Sequence, residues 1–283
     1  MVEKIIAPMK KIFISYADNN MAYSLKRIGN QAKKLGIFDE VLLYTPEKLP
    51  GYIKTSPLLK YERGGGYWIW KSAIMWETLQ KYEEGTFVVY ADAGCSLYKS
   101  DDWEYYFNQL KEYNTICFEY KDEMPEWEKF GQTSTKIKYW SKQTVLNYFH
   151  EILKDEHYED KYNKILAGLI FCKGKNNQFI RDWLDIVTQH PELIIDPTDE
   201  ELKTENIELA FHKHDQAIIT PLAHQYEDVL ILQEKLETSK HAAILASRIR
   251  AKDYKQYLKL MLKLQMRHLL GDDFYNKIKR KIK

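Results

Sequence analysis

The sequence predicts an α/β fold: a mostly parallel central sheet with helices packed on both faces. Three observations predict it. Short apolar runs of strand length, such as Ile12-Phe13-Ile14 and "TFVVYA" at 86–91, alternate along the chain with amphipathic stretches of helical period, the pattern of strand–helix–strand units. Pro46, Pro50, Pro57 and Gly85 punctuate the chain between such segments. The chain has 283 residues, 45% of them hydrophobic and 14% aromatic, enough to bury a substantial core in one large domain or two small ones.

The elements follow in order. "KKIFISYAD" is a first strand closed by Asp18-Asn19-Asn20. "MAYSLKRIGNQAKKLG" places Leu25, Ile28 and Ala32 on one helical face, with Gly36 where a left-handed C-terminal cap belongs. "DEVLLYT" is a second strand. Pro46, Pro50 and Pro57 then mark a loop region up to Gly64-Gly65-Gly66. A helix over 70–83 leads through Gly85 into the strand at 86–91, and "SDDWEYYFNQLKEY" opens with Ser100 in a capping position. "NTICFEY" is another strand, and residues 121–163 read as a polar, aromatic, partly helical insertion. "ILAGLIFCKG" is a strand, "NNQFIRDWLDIVTQH" a helix, "HDQAIITPLAHQY" a helix kinked at Pro221, and "EDVLILQ" a late strand. There is no internal repeat and no low-complexity segment.

Composition excludes several classes. Cys95, Cys117 and Cys172 show no CxxC spacing, so neither a zinc site nor a disulfide framework is supported, and reduced thiols in a cytoplasm are expected. The N-terminal apolar runs are short and broken by Lys, too little for a secretory signal. No segment approaches the roughly 18–20 apolar residues of a membrane-spanning helix. The net charge of +1 hides a polarity: residues 248–283 carry 12 Lys/Arg against 3 Asp/Glu, a local +9, which leaves −8 on the rest. Nucleic acid is not an expected partner, because the body is acidic and no recognised module is present.

Ligands of open α/β sheets sit at the carboxyl ends of the strands. Residues 16–19 and 92–94 both lie at such ends. Asp92 ends an apolar strand and is followed at once by Ala93 and Gly94. A hard divalent cation takes oxygen ligands, and one or two carboxylates with a diphosphate suffice. The two small residues leave room for a diphosphate to approach. An Asp opening a turn before Gly is the other use of this pattern, and the spacing alone leaves both open.

Four stretches together resemble the GT-A glycosyltransferases, in particular the retaining glycogenin-like and lipooligosaccharide galactosyltransferase-like branch. "YADAGC" resembles the Asp-x-Asp motif, with Gly94 in place of the second acid. "IFISYADNNMAYSL" resembles the opening strand and its nucleoside-holding turn, "ILAGLIFCK" the strand lining the sugar pocket, and "KHDQAIIT" the Asp-Gln helix start beside the anomeric carbon. "GGGYWIWKSAIMWETL" is similar to bacterial capsule and lipopolysaccharide transferases. The resemblance implies that Tyr16, Ala17, Asp18 and Asn19 hold uracil and ribose, with the Tyr16 ring stacking, and that Lys71 meets the diphosphate. It implies that Asp92, beside Ala93 and Gly94, binds Mn²⁺ or Mg²⁺. Ala167 and Gly168 would line the donor sugar, and Asp215 and Gln216 would lie under the anomeric carbon. A late His ligand has no secure counterpart: His212, His214 and His241 are candidates. Arg248 or Arg250 would instead meet the leaving diphosphate, which suits guanidinium forks. Leu166 stands where the pattern has Asn.

The implied chemistry is transfer of a hexose, galactose first, from a UDP-sugar to a cell-surface polysaccharide or a lipid-linked glycan, metal-assisted and retaining. Asp215 would stabilise the oxocarbenium-like sugar or, in an inverting enzyme, take the acceptor proton. An inverting transferase with another nucleotide or a furanose donor, and a non-catalytic nucleotide-sugar- or glycan-binding protein, are the alternatives. Tyr67, Trp68 and Trp70 would divide between site and core, and Trp127 and Tyr139 would form the acceptor side. Residues 1–245 are expected to form the catalytic domain. Residues 246–283 would be a basic amphipathic helical tail, with Tyr254, Leu258, Met261, Leu264 and His268 near one face and Lys255, Lys259, Lys263 and Arg267 on another. Such helices lie on anionic membrane surfaces, which implies peripheral attachment to the inner face of the cell membrane.

Overall fold

A computed structural model of the chain describes residues 9–237, 239 and 242–270. Its centre is a six-stranded sheet. The strands are β1 (Lys11–Tyr16), β2 (Glu40–Tyr44), β3 (Phe87–Ala91), β5 (Thr115–Glu119), β6 (Leu169–Lys173) and β7 (Val229–Gln233), in spatial order β2-β1-β3-β6-β5-β7. Only β6 runs antiparallel to its neighbours; β1 pairs in parallel with β2 and β3, and β5 with β7. This is the mostly parallel, helix-flanked α/β class expected. All five residues of β3 are buried, as a strand covered on both faces must be, and its side chains are correspondingly apolar on both. A second, two-stranded sheet pairs β4 (Ser96–Leu97) with β8 (Ile244–Leu245).

The helices are α1 (Ala22–Leu35), α2 (Gly51–Lys54), α3 (Gly64–Tyr67), α4 (Trp70–Lys81), α5 (Asp102–Glu112), α6 (Gln143–Leu153), α7 (Tyr158–Lys161), α8 (Gln178–Gln189), α9 (Asp215–Ala223) and α10 (Tyr254–Leu270). α1 buries Leu25, Ile28 and Ala32 and ends at Gly36 in the left-handed conformation, whose N–H bonds the Lys33 carbonyl. α4 stops at Lys81, short of the expected 83, because Tyr82 turns extended. The insertion at 121–163 is helical only in α6, α7 and two 3-10 turns, Pro125–Phe130 and Ile137–Tyr139. Pro221 lies within the last turn of α9, where its ring takes one N–H out of the helix ladder close to the helix end.

The glycine triplet becomes a short turn, α3. Gly66 has φ +94, and a Cβ there would lie 2.8 Å from a Leu59 methyl, so conformation and space both demand glycine. The turn carries Trp68 in the left-handed region at φ 61.

A boundary at 246 would cut through a stitched segment. β8 is paired, the Ile249 N–H bonds the Gly94 carbonyl at 3.0 Å, and the Ser24 hydroxyl bonds the Ile249 carbonyl at 2.7 Å. Ile249 and Ala251 are buried, so these residues belong to the body. α10 emerges after them and rests its first turn, Tyr254 and Tyr257, against Tyr23. Tyr254, Leu258 and Leu262 are exposed. No helix among the described residues is long and apolar enough to cross a membrane.

Candidate functional site

The carboxyl ends of β1, β3 and β5 and the amino end of β6 open into one cleft of about 550 Å³. It is lined by Tyr16, Ala17, Asp18, Lys71, Asp92, Ala93, Gly94, Ala167, Gly168, Asp215, Gln216, Arg248 and Arg250. Of the donor-binding and catalytic residues expected from Tyr16 to Arg250, Asn19 does not line it, and neither do the further candidates Tyr67, Tyr139 and His212; Asn19 is exposed, and Asn20 stands in the wall. Asp18 caps that turn, accepting the Asn20 N–H at 2.9 Å.

The cleft floor is organised by one buried cation. Lys71, in the first turn of α4, has its ammonium 2.6 Å from an Asp215 carboxylate oxygen, 3.5 Å from Asp92, and 3.1 Å from the Ala167 carbonyl. Those three partners match the three N–H donors of an ammonium. Burial opposes the charge, but Asp215 and then Asp92 outweigh it, and the Lys71 ammonium is held above the ordinary lysine range. Lys71 lines the cleft, and its ammonium joins two carboxylates distant in the sequence at one point.

Asp92 lies past the end of β3, with its side chain 41% exposed. The Tyr90 hydroxyl donates to its Oδ1, and its backbone N–H bonds the Gly168 carbonyl at 3.0 Å. A Cβ at Gly168, the residue before β6, would stand 3.1 Å from Asp92 Oδ2 and crowd that carboxylate. Arg27 on α1 supports the turn from behind, donating to the Ala93 and Cys95 carbonyls and to the Ser96 hydroxyl. Asp215 is the first residue of α9 and follows His214, whose φ is +48. Rather than capping the helix across a turn, its Oδ1 takes the adjacent Gln216 N–H while Oδ2 meets Lys71.

Does this donor set suit a divalent cation? Among the described residues no three His, Cys, Asp or Glu groups converge as a metal cage. Asp92 Oδ1 is taken by Tyr90 and Lys71, and Gly94 offers no second acid. His212 is buried between the Lys142 N–H and the Leu193 carbonyl. His214 lines the cleft with Nδ1 toward the Ile194 carbonyl and Nε2 3.8 Å from Asp196; His241 lies outside the described residues. Asp92 itself lines the cleft, with its side chain partly exposed. The set fits a cation completed by a substrate's own phosphate oxygens and water, and not one held by protein alone.

The rings divide as follows. Trp68 and Trp70 line the cleft, whereas Tyr67 is buried and donates to Asp196 at 2.8 Å. Tyr16 stacks on Trp70 at 3.9 Å between centroids, so one face of its ring is already covered. Trp127 lines the cleft and Tyr139 does not. Arg248 holds Glu237 at 2.6 Å, and Arg250 is exposed at the rim.

Sequence reasoning missed several wall residues: Lys164, Lys213, Tyr120, Trp140 and Glu237. Lys164 carried a signal, a cation placed directly before the apolar run Ile165-Leu166-Ala167. The others sit in loops whose convergence only the fold creates.

No family model matches the chain, and no curated protein matches it. Solved structures similar to it include glycosyltransferases. A glycosyltransferase involved in the glycosylation of the major capsid of PBCV-1 is 9% identical, over 79% of this chain and 81% of that one, with a TM-score of 0.42. Galactosyltransferase LgtC in complex with donor and acceptor sugar analogs is 11% identical, over 78% and 72%, with a TM-score of 0.34. The 4-diphosphocytidyl-2C-methyl-D-erythritol synthase of Anaerococcus prevotii DSM 20548 is 10% identical, over 91% and 99%, with a TM-score of 0.39. At these scores the likeness carries no argument about activity.

Proposed function

We propose that the chain is a glycosyltransferase that moves a hexose from a UDP-sugar to a glycan acceptor, with retention at the anomeric carbon. Galactose is the first donor to test. One observation carries this reading: the Lys71 ammonium ties Asp92 and Asp215 into a single cleft, with Ala167 and Gly168 between them.

The nucleoside would lie at the β1 end, over Ala17, Asp18 and the free face of Tyr16. The diphosphate would lie along Ala93 and Gly94, within reach of Arg248 and Arg250. Breaking the anomeric C–O bond leaves negative charge on the diphosphate and positive charge on the sugar. Fixed guanidinium groups lower that barrier on one side, and the Asp215 carboxylate, with Gln216 beside it, stabilises the sugar cation on the other. Lys71 holds both carboxylates in place, so little reorganisation is needed as charge separates. A Mn²⁺ or Mg²⁺ ion bound through Asp92 Oδ2 would add Lewis-acid stabilisation to the leaving group.

α10 carries Lys255, Lys259 and Lys263 beside exposed Tyr254, Leu258 and Leu262. A basic helix with apolar residues suits an anionic membrane surface, and with it a lipid-linked polysaccharide acceptor at the cytoplasmic leaflet. Release of UDP from a panel of UDP-hexoses, with and without Mn²⁺, tests the reading: the wild type should turn over slowly in the absence of acceptor, and Asp92→Asn should abolish it. Affinity for a UDP-sugar with no turnover under any condition would instead mark a binding protein.

A further inference from the structure

Arg248 joins a pinned backbone to a side chain that stands in the cleft. Its φ is +51, in the left-handed region that few residues other than glycine adopt. Both neighbours hold it there: the Ser247 hydroxyl and the Ile249 N–H each bond the Gly94 carbonyl at 3.0 Å. A Cβ at Gly94 would lie 3.6 Å from the Arg248 Cα, so the arginine starts directly against the turn that follows Asp92. The side chain beyond is 62% exposed.

The guanidinium is already engaged. Its Nη2 lies 2.6 Å from Glu237 Oε1, on a side chain only 14% exposed. The same oxygen accepts the Tyr120 hydroxyl at 3.1 Å, and Glu237 and Tyr120 both line the cleft. The backbone of Glu237 is fixed as well: its N–H bonds Glu234 Oε2 at 2.9 Å, and the carbonyl before it takes the Ala246 N–H at 2.9 Å. With both backbones held, what can change is the anion that the guanidinium faces.

Two features favour an exchange. An ion pair with so exposed a partner contributes little, whereas a guanidinium fork and phosphate oxygens form paired, charge-assisted bonds. Glu237 is also not stranded when Arg248 turns away. The Tyr120 hydroxyl stays on its carboxylate, and two amines of the same wall stand in its field: Lys213, and Lys164 in a cage of the Tyr120, Trp127 and Trp140 rings. Burial pushes both amines below the ordinary lysine range, and the Glu237 charge works against that.

We infer that Glu237 is a resident anion on Arg248, which an incoming diphosphate displaces, and that it thereby sets how tightly the donor is held. The inference rests on the glycosyltransferase reading of the same cleft and adds to it a built-in competitor for the diphosphate. After transfer the carboxylate retakes the guanidinium, which favours departure of the nucleoside diphosphate.

Calorimetric titration of the full chain with UDP, inorganic pyrophosphate and uridine at one salt concentration tests it. Glu237→Gln keeps the side chain's size and its acceptor for Tyr120 but not its charge. It should bind UDP and pyrophosphate about fivefold more tightly than the wild type, the upper range for an exposed ion pair, with uridine unchanged. Arg248→Met should weaken both phosphate ligands, and Glu237→Gln added to it should give no gain, as a double-mutant cycle for one pair requires. Unchanged or weaker UDP binding by Glu237→Gln overturns the inference and leaves the transferase reading standing. A gain that survives Arg248→Met, or that extends to uridine, overturns it too, since the carboxylate would then act by general repulsion. If Glu237→Gln fails to fold, Glu237→Asp, one methylene shorter, must show the gain or the inference falls. An Arg248-dependent gain in a protein that binds UDP no better than pyrophosphate sinks the nucleotide-sugar reading and leaves the exchange standing. A wild type and a Glu237→Gln variant that bind neither phosphate ligand overturn both.

Discussion

The Lys71 ammonium lies 2.6 Å from Asp215 and 3.5 Å from Asp92, so one buried charge positions two acids 123 residues apart in sequence. Removing one member of a buried ion pair leaves the other uncompensated, at about 3–5 kcal/mol. Lys71→Met should therefore lower the urea midpoint strongly and abolish UDP release. Asp215→Asn leaves Lys71 with Asp92 and the Ala167 carbonyl. It should cost less stability but about 100-fold or more in turnover, the range seen when a charge-stabilising group is lost. Denaturation and donor hydrolysis on both variants check the pair.

Gly168→Ala would bring a methyl to 3.1 Å from Asp92 Oδ2. The carboxylate has the open cleft to move into, so the fold should tolerate the change. Turnover should fall well below wild type while the melting temperature moves by only a few degrees. An active Gly168→Ala enzyme would show that the position of Oδ2 is not critical.

Three histidines set an acid limit. Burial is the main cause in each: His212 is held well below the ordinary histidine range, His214 below it, and His224, stacked on Tyr162 at 3.7 Å, is pushed down to about 4. Unfolding lets these rings take protons near pH 6.5, so the unfolded state binds more protons below that pH and stability falls as pH drops. The urea midpoint should be flat above pH 7 and decline from about 6.5 towards 4. His224→Gln should flatten part of that decline.

Truncation before Tyr254 removes α10 but leaves the stitched residues 244–251 in place. The shortened protein should fold and keep donor hydrolysis. It should lose sedimentation with vesicles of phosphatidylcholine and phosphatidylglycerol, since each basic residue near such a surface contributes about 1 kcal/mol. Unchanged vesicle binding would remove the membrane assignment.

Sheet and helices were legible because their signals are local. β3 is a continuous apolar run, α1 has a clean stripe ending at Gly36, and α9 begins at a readable Asp-Gln. Asp92, Asp215 and Gly168 could be named because each sits at an element end. What Lys71 does could not be read. A lysine opening a helix resembles an anion ligand, and only the approach of α4 to α9 and to the start of β6 buries it between carboxylates. The Lys164 cage was hidden for the same reason: Tyr120, Trp127 and Trp140 have no shared period and meet through an irregular insertion. The expected tail began too early because Ile249 and Ala251, though flanked by Arg and Lys, are held by Gly94 and Ser24.

A crystal structure with UDP and Mn²⁺ bound is the most direct measurement. The account predicts the pyrophosphate beside Asp92, Ala93 and Gly94, the uracil at the Tyr16 end, and Lys71 still joined to Asp215. A nucleotide bound outside the cleft, or a pyrophosphate remote from Asp92, would contradict it.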